Sequence, residues 1–317
     1  MKVGKTTTAS KFEKNLIFGF EKGYSALPNI YAVPVNTWSE ALSYQNQLLQ
    51  DAKEIQREKE KNPNSNIETQ FATITIDTAD LAYEACETYI CNQQGIDSIN
   101  QLPYGQGWKL VRKEFDTFFR RFVNAGYGLV IISHDKVSTV TDDNGKDYQK
   151  ITPTLESTPW KIINRLCDII GYVKSVSLMD ENGKEIHQSY LFMRGTSQFI
   201  AGSRFKYTPD VIKFSYEDLV KAINDAIDKE GQENNNAITD ERINYESEKL
   251  DFDTLYQQTI DLIESLINKN ENNYKIITSI IENRLGAGQL LQNATKKQIE
   301  QVYLIYNDLL DYSKSLS

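Results

Sequence analysis

A chain of 317 residues with 40% hydrophobic and 25% charged content can bury a sizeable core as one large domain or two. Its net charge of −9 excludes a uniformly basic nucleic-acid wrapper, though not a local basic groove. Cys86, Cys91 and Cys167 form no CxxC pair, and with only His134 and His187 beside them they argue against a zinc centre and for reduced thiols in a soluble, intracellular protein.

The chain opens on Gly4-Lys5-Thr6-Thr7, the back half of the phosphate loop G-x-x-x-x-G-K-[ST]. The leading glycine of that loop would fall ahead of Met1, so the expectation is that Met1 is an internal methionine. A preceding strand would lie upstream, and the chain as written would bind ATP poorly. TTASKFEKN then reads as a helix and NLIFGF (15–20) as an apolar strand. In a phosphate loop, backbone N–H groups and the helix N-terminus hold the phosphates. Lys5 would reach the β- and γ-phosphates, and the Thr6 hydroxyl would ligate Mg²⁺. The bland alternative is an incidental GKT in an unstructured terminus. Glu21, just past the strand, is placed to polarise an attacking water, or is a solvated loop charge.

IYAVPV (30–35) predicts a second strand, TWSEALSYQNQLLQDAKEIQREKEK a long helix, and KNPNSN (61–66) a loop. FATITID (71–77) predicts a strand ending on Asp77, as a Walker B element requires, with its carboxylate holding the magnesium shell beside Thr6. The alternative is a strand-end aspartate capping the next helix, a role for which Asp80 is the better candidate. ADLAYEACETYI and GWKLVRKEFDTFFRRFVNAG (107–126) predict helices. GLVIISH (128–134) predicts a buried strand ending on His134, a γ-phosphate sensor or a satisfied histidine at a sheet edge.

Residues 135–154 are polar and turn-rich, with Asn144-Gly145 as a hairpin tip. STPWKIINRL predicts a helix with Thr158 as N-cap and Pro159 at its first position. IIGYVKSVSL and EIHQSYLFM flank DENG, which predicts an antiparallel hairpin at one edge of the sheet. In RGTSQFIAGSRFKYTP (194–209), Arg204 and Lys206 follow a Gly-Ser turn. Cations on such a loop stabilise phosphoryl-transfer charge within the chain or on a neighbouring subunit; otherwise they are a surface pair. Arg194 is a weaker candidate of the same kind.

Alternating strands and helices point to an open, mostly parallel α/β sheet flanked by helices over 1–228. KEGQENNNAITDE sets a linker at 229–243. A small all-helical module follows over 244–317, where Thr295 and Gln298 form a capping box and Gly286-Ala287-Gly288 a helix stop.

In order, VGKTTTASKF, NLIFGFEKGY, YAVPVNTWSEAL, ITIDTAD, GLVIISH and AGSRFKYTP resemble the P-loop NTPase core of RecA-like phage ATPases of the single-strand-annealing recombination group, often described as phage AAA-type nucleotide-binding proteins. The resemblance covers residues 1 to about 225. It implies ATP and Mg²⁺ as cofactors, with Gly4, Lys5, Thr6 and Thr7 as Walker A, Asp77 as Walker B and Glu21 as the catalytic glutamate. Arg204 and Lys206 would form a basic loop reaching a neighbour's nucleotide, His134 a nucleotide-side sensor and 135–154 a DNA-contacting loop. It further implies a homo-oligomer on single-stranded DNA in a bacterial cytoplasm, possible contact with a single-strand-binding protein, and no membrane. Two other readings stay open: a non-catalytic nucleotide-binding module that recruits a partner, and another P-loop ATPase such as a loader.

Overall fold

The protein is described here from a computed structural model covering residues 3–62, 65–142, 144–179, 184–234, 251–270 and 272–316. The chain divides into two compact units, Met1–Ile238 and Thr239–Ser317. In the first, α1 (Lys5–Ala9) leads into β1 (Asn15–Gly19), β2 (Tyr31–Pro34) and α2 (Trp38–Lys61). Then come β3 (Thr73–Asp77), α3 (Ala79–Gln94), α4 (Gln106–Asn124) and β4 (Gly128–Ile132). The four strands form one all-parallel sheet in the order β2-β1-β3-β4. Parallel strands covered on both faces need continuous apolar runs, and every residue of β1 and β3 is buried.

Helix α4 packs through a face carrying Val111, Phe115, Phe118, Phe119 and Phe122, all buried at helical spacing. Trp38, at the start of α2, sets its ring 4.6 Å from Phe118 and donates its indole N–H to Glu114 at 3.0 Å. The entry of α2 is fixed by a capping box between Thr37 and Glu40. One buried polar joint ties α1 to the sheet. The Asn15 amide donates to the Ala9 carbonyl at 2.9 Å and accepts from the Thr75 hydroxyl at 2.9 Å.

Beyond β4, β5 (Asp135–Thr141) and β6 (Asp147–Pro153) pair as an antiparallel ribbon, as Asn144-Gly145 foretold. Next come α5 (Ser157–Leu166), β7 (Ile169–Ile170), β8 (Tyr172–Met179), β9 (Glu185–Phe192), β10 (Gly202–Ser203), β11 (Val211–Lys213) and α6 (Tyr216–Asn234). The N-cap of α5 is Glu156, two residues earlier than expected, which puts Thr158 and Pro159 inside the first turn. The hairpin β8–β9 forms, but not at an edge of the parallel sheet. It joins β11 in a separate sheet ordered β11-β9-β8, packed through Leu191 and Met193 on Ala222 of α6. Its expected DENG tip, 180–183, lies outside the described residues. Helix α6 continues to Asn234, so the segment read as linker from residue 229 begins as helix; the rest of it lies outside the described residues.

The second unit holds α7 (Phe252–Lys269), α8 (Asn273–Leu285) and α9 (Ile299–Ser315) around Leu255, Leu266, Ile277, Ile281, Val302, Ile305 and Leu309. The Thr295–Gln298 box is made, and Gly286 ends α8 at φ 109°, a value glycine adopts without strain. Among the described residues, no helix is long and apolar enough to cross a membrane.

Trp38, Trp108 and Trp160 all lie in the first unit, so tryptophan fluorescence follows that unit alone. Asn15→Ala strands two buried partners and is expected to cost the first unit about 1–3 kcal/mol in urea unfolding followed by that signal. An unchanged midpoint would show that the joint does not hold α1.

Candidate functional site

A parallel sheet brings the C-terminal ends of its strands to one rim, where open α/β folds place their ligands. Here Gly19, Asp77 and Ile132 lie side by side in register at the ends of β1, β3 and β4. Glu21 and His134, each two residues past the ends of β1 and β4, share that rim with Asp77. The Glu21 amide extends the ladder by donating to the Asp77 carbonyl at 2.9 Å.

Helix α1 docks onto the same rim. The Thr6 hydroxyl donates to Asp77 Oδ2 at 2.7 Å, and Lys5 Nζ donates to the Ser133 carbonyl at 3.0 Å. Glu21 Oε2 lies 3.0 Å from His134 Nε2. Four segments far apart in sequence thus bring together Lys5, Thr6, Asp77, Glu21 and His134. Gly4 precedes the helix at φ 87°, a left-handed value that suits glycine. Thr7 is exposed, and its carbonyl accepts from the Ser10 hydroxyl at 2.9 Å.

Asp77 is 3% exposed, and burial pushes its carboxyl above the usual carboxylate range. The Thr6 hydrogen bond opposes that shift, nearby Glu21 adds to it, and Lys5 and His134 oppose it. The local donor set is therefore a hydroxyl and a buried carboxylate whose charge is only partly compensated. Those are hard oxygen donors of the kind that hold Mg²⁺, an ion that keeps waters and takes the rest of its shell from phosphates. Thr6 and Asp77 fit it. Among the described residues no cluster of three or more His, Cys, Asp or Glu suits a metal, so the protein would not enclose the ion by itself.

Arg204 and Lys206 are not part of this convergence. Arg204 donates to Asp168 at 2.8 Å and to the Arg165 carbonyl at 2.5 Å; Lys206 pairs with Glu233 at 3.1 Å. Arg194 has a scaffolding place, donating to the carbonyls of Ser203, Phe205 and Lys206 and so shaping the loop that carries the other two.

Asp80 is not the expected cap. Thr78 is the N-cap of α3, and Asp80 in the first turn points across to the root of the β5–β6 ribbon. Its Oδ1 accepts from the Ser133 hydroxyl at 3.1 Å and from the Thr154 hydroxyl, and its Oδ2 from the His134 amide at 3.2 Å. Gly23 also escaped the sequence reading. A Cβ there would stand 3.6 Å from Thr6 Oγ1 and 3.7 Å from Asp77 Oδ2, so the turn after β1 covers the Thr6–Asp77 pair with bare backbone. The ring of Tyr24 fills the space where a Gly19 side chain would be, which holds that turn down. The spacing G-x-x-x-G over 19–23 is the only sequence trace of this closure.

The raised Asp77 pKa has a definite sign. The native state holds that proton more tightly than the unfolded chain, so its contribution is full below the ordinary carboxylate range. It is lost as pH rises through the raised value. Without divalent cation, Asp77→Asn is expected to match wild type in acid and to exceed it in stability near neutral pH, read by urea unfolding of the first unit. A wild type that gains on the variant as pH rises would refute this.

A family model described as an AAA domain matches residues 1–205. The SPbeta prophage-derived uncharacterized protein YorG of Bacillus subtilis strain 168 is 28% identical over 319 residues, an alignment covering 98% of this chain and 90% of that protein. No solved structure matches the chain. The match takes in every segment that contributes to the rim, together with Arg204, and the fold around it is a parallel α/β sheet with flanking helices of the P-loop kind. On this evidence the chain belongs to the AAA-domain family of nucleotide-binding P-loop proteins.

Proposed function

We propose that the protein is an ATP-hydrolysing DNA recombination protein, phage-encoded, that acts on single-stranded DNA as a homo-oligomer. The observation that carries the ATPase reading is the Thr6–Asp77 hydrogen bond, with Lys5 held on the Ser133 carbonyl and the Glu21–His134 pair at the same rim. Lys5 gives up the Ser133 carbonyl for the β- and γ-phosphates, a stronger, charge-assisted partner. Thr6 and Asp77 hold the magnesium ion, which when bound neutralises phosphate charge. Glu21, half-exposed at the rim, orients the attacking water, and His134 steadies its carboxylate.

Arg204 and Lys206 serve a neighbouring subunit's site in this reading. Their present pairs with Asp168 and Glu233 are solvent-exposed and therefore weak, so they exchange readily for phosphate. The single-strand reading rests on the family resemblance of the motif string and on the prophage origin of the relative. Asp80 supports coupling between the two ligands, because it fastens the foot of the 135–154 ribbon next to the nucleotide rim.

ATP hydrolysis measured with and without single-stranded DNA tests this. Wild type is expected to hydrolyse ATP faster with DNA. Glu21→Gln is expected to keep nucleotide binding and lose about 10²–10⁴-fold in turnover, and Lys5→Ala to lose binding itself. Hydrolysis indifferent to both substitutions would remove the rim from the mechanism, and hydrolysis indifferent to DNA would remove the recombination reading.

A further inference from the structure

A second candidate anion site lies away from the rim, between α4 and α5. It is a groove of about 320 Å³ lined by Arg112 of α4 and by Thr158, Lys161, Ile162, Asn164 and Arg165 of α5. The α5 residues occupy one helical face, with Ile162 buried and Lys161, Asn164 and Arg165 exposed. None of the lining residues is acidic.

The electrostatics of this groove are unbalanced. The chain carries a net −9, yet three cations line one depression. Among the described residues, neither the Arg112 guanidinium nor the Lys161 ammonium has a hydrogen-bond or ion-pair partner. Arg165 spends only its Nε, on the Lys161 carbonyl at 3.1 Å. A cation in the last turn of a helix is favoured by the helix dipole, which accounts for Arg165 but not for Arg112 or Lys161. The nearby carboxylate of Asp168 is engaged by Arg204.

We propose that this groove binds the phosphodiester backbone of a single nucleic-acid strand. Two guanidinium groups offer planar donor forks suited to phosphate oxygens, Lys161 adds a point charge, and Asn164 and Thr158 add neutral donors. Lys161 and Arg165 are four residues apart on α5, about 6 Å of helix rise. The inference deepens the proposed function and takes from it only the single-stranded ligand. It gives that ligand a contact separate from the β5–β6 ribbon.

The test is fluorescence anisotropy of a labelled oligo-dT strand with the whole protein, titrated with salt. Arg112→Ala, Lys161→Ala and Arg165→Ala combined is compared with Arg57→Ala, Lys59→Ala and Lys61→Ala combined, which removes the same charge from the end of α2. The groove variant is expected to bind about tenfold or more weakly. Its log–log salt slope should be shallower by about 2, since each single-strand phosphate contact contributes about 0.7. The α2 variant should stay within about threefold of wild type. Lys161→Glu alone, at an exposed position with no partner to lose, should shift binding the same way. If wild type binds and the groove variant binds equally well, or if both triple variants weaken alike, the groove assignment falls and the single-strand reading stands. If wild type does not bind the strand even at low salt, both fall.

Discussion

The arrangement at the rim depends on one buried carboxylate and the hydroxyl that meets it. Asp77 closes a strand that is otherwise sealed from water, and its charge is disfavoured there. Thr6 supplies the one side-chain hydrogen bond that Asp77 receives among the described residues, and Lys5 the nearest opposing charge on α1. A five-residue helix has no stability of its own, because nucleation costs more than one turn returns. Helix α1 therefore exists because it is bonded at both ends: through Lys5 and Thr6 to the rim, and through the Ala9 carbonyl to buried Asn15. The same contacts that order the helix aim its first turn at the place where phosphate and metal are expected.

A second set of bonds leads outward from that pair. Glu21 meets the His134 ring, while the His134 amide and the Ser133 hydroxyl are both held by Asp80. Asp80 also takes the Thr154 hydroxyl, so both feet of the β5–β6 ribbon are tied to the first turn of α3, three residues past Asp77. Farther along β6, Ile151 exchanges backbone hydrogen bonds with Gln198 and Ile200, in the loop that leads to Arg204. Hydrogen bonds thus run without a break from the Glu21–His134 pair to the ribbon, and from the ribbon to the loop that leads to Arg204.

Charge is distributed unevenly enough to matter for ligands. An acidic chain repels polyanions at long range, and salt screens that repulsion beyond about 8–10 Å. What governs contact is the local field, and the local fields differ. At the rim Lys5 faces Asp77 and Glu21, so a phosphate would arrive together with a divalent cation. Between α4 and α5 three cations stand without acids among the lining residues, a setting for phosphate without metal.

Much of this was legible in the order of residues. Short apolar and β-rich runs predicted the strands of the parallel sheet, since strands covered on both faces carry mostly apolar residues. The short motifs at Gly4-Lys5-Thr6, Asp77 and His134 marked the strand ends and turns that share one rim. Local caps at Thr37, Thr295 and Gly286 were equally readable, because their partners lie within a few residues. What depended on tertiary structure was every partner distant in sequence. Asp80 reads as a helix cap until the fold carries Thr154 to it from 74 positions away. The β8–β9 hairpin reads as an edge of the parallel sheet until β11 returns to pair with it. Arg112 and Lys161 look like ordinary surface charges until two helices from opposite sides of the ribbon are laid together. Local propensity and periodicity act over one or two turns of chain, whereas these contacts exist only after the sheet has set the positions of elements far apart in sequence.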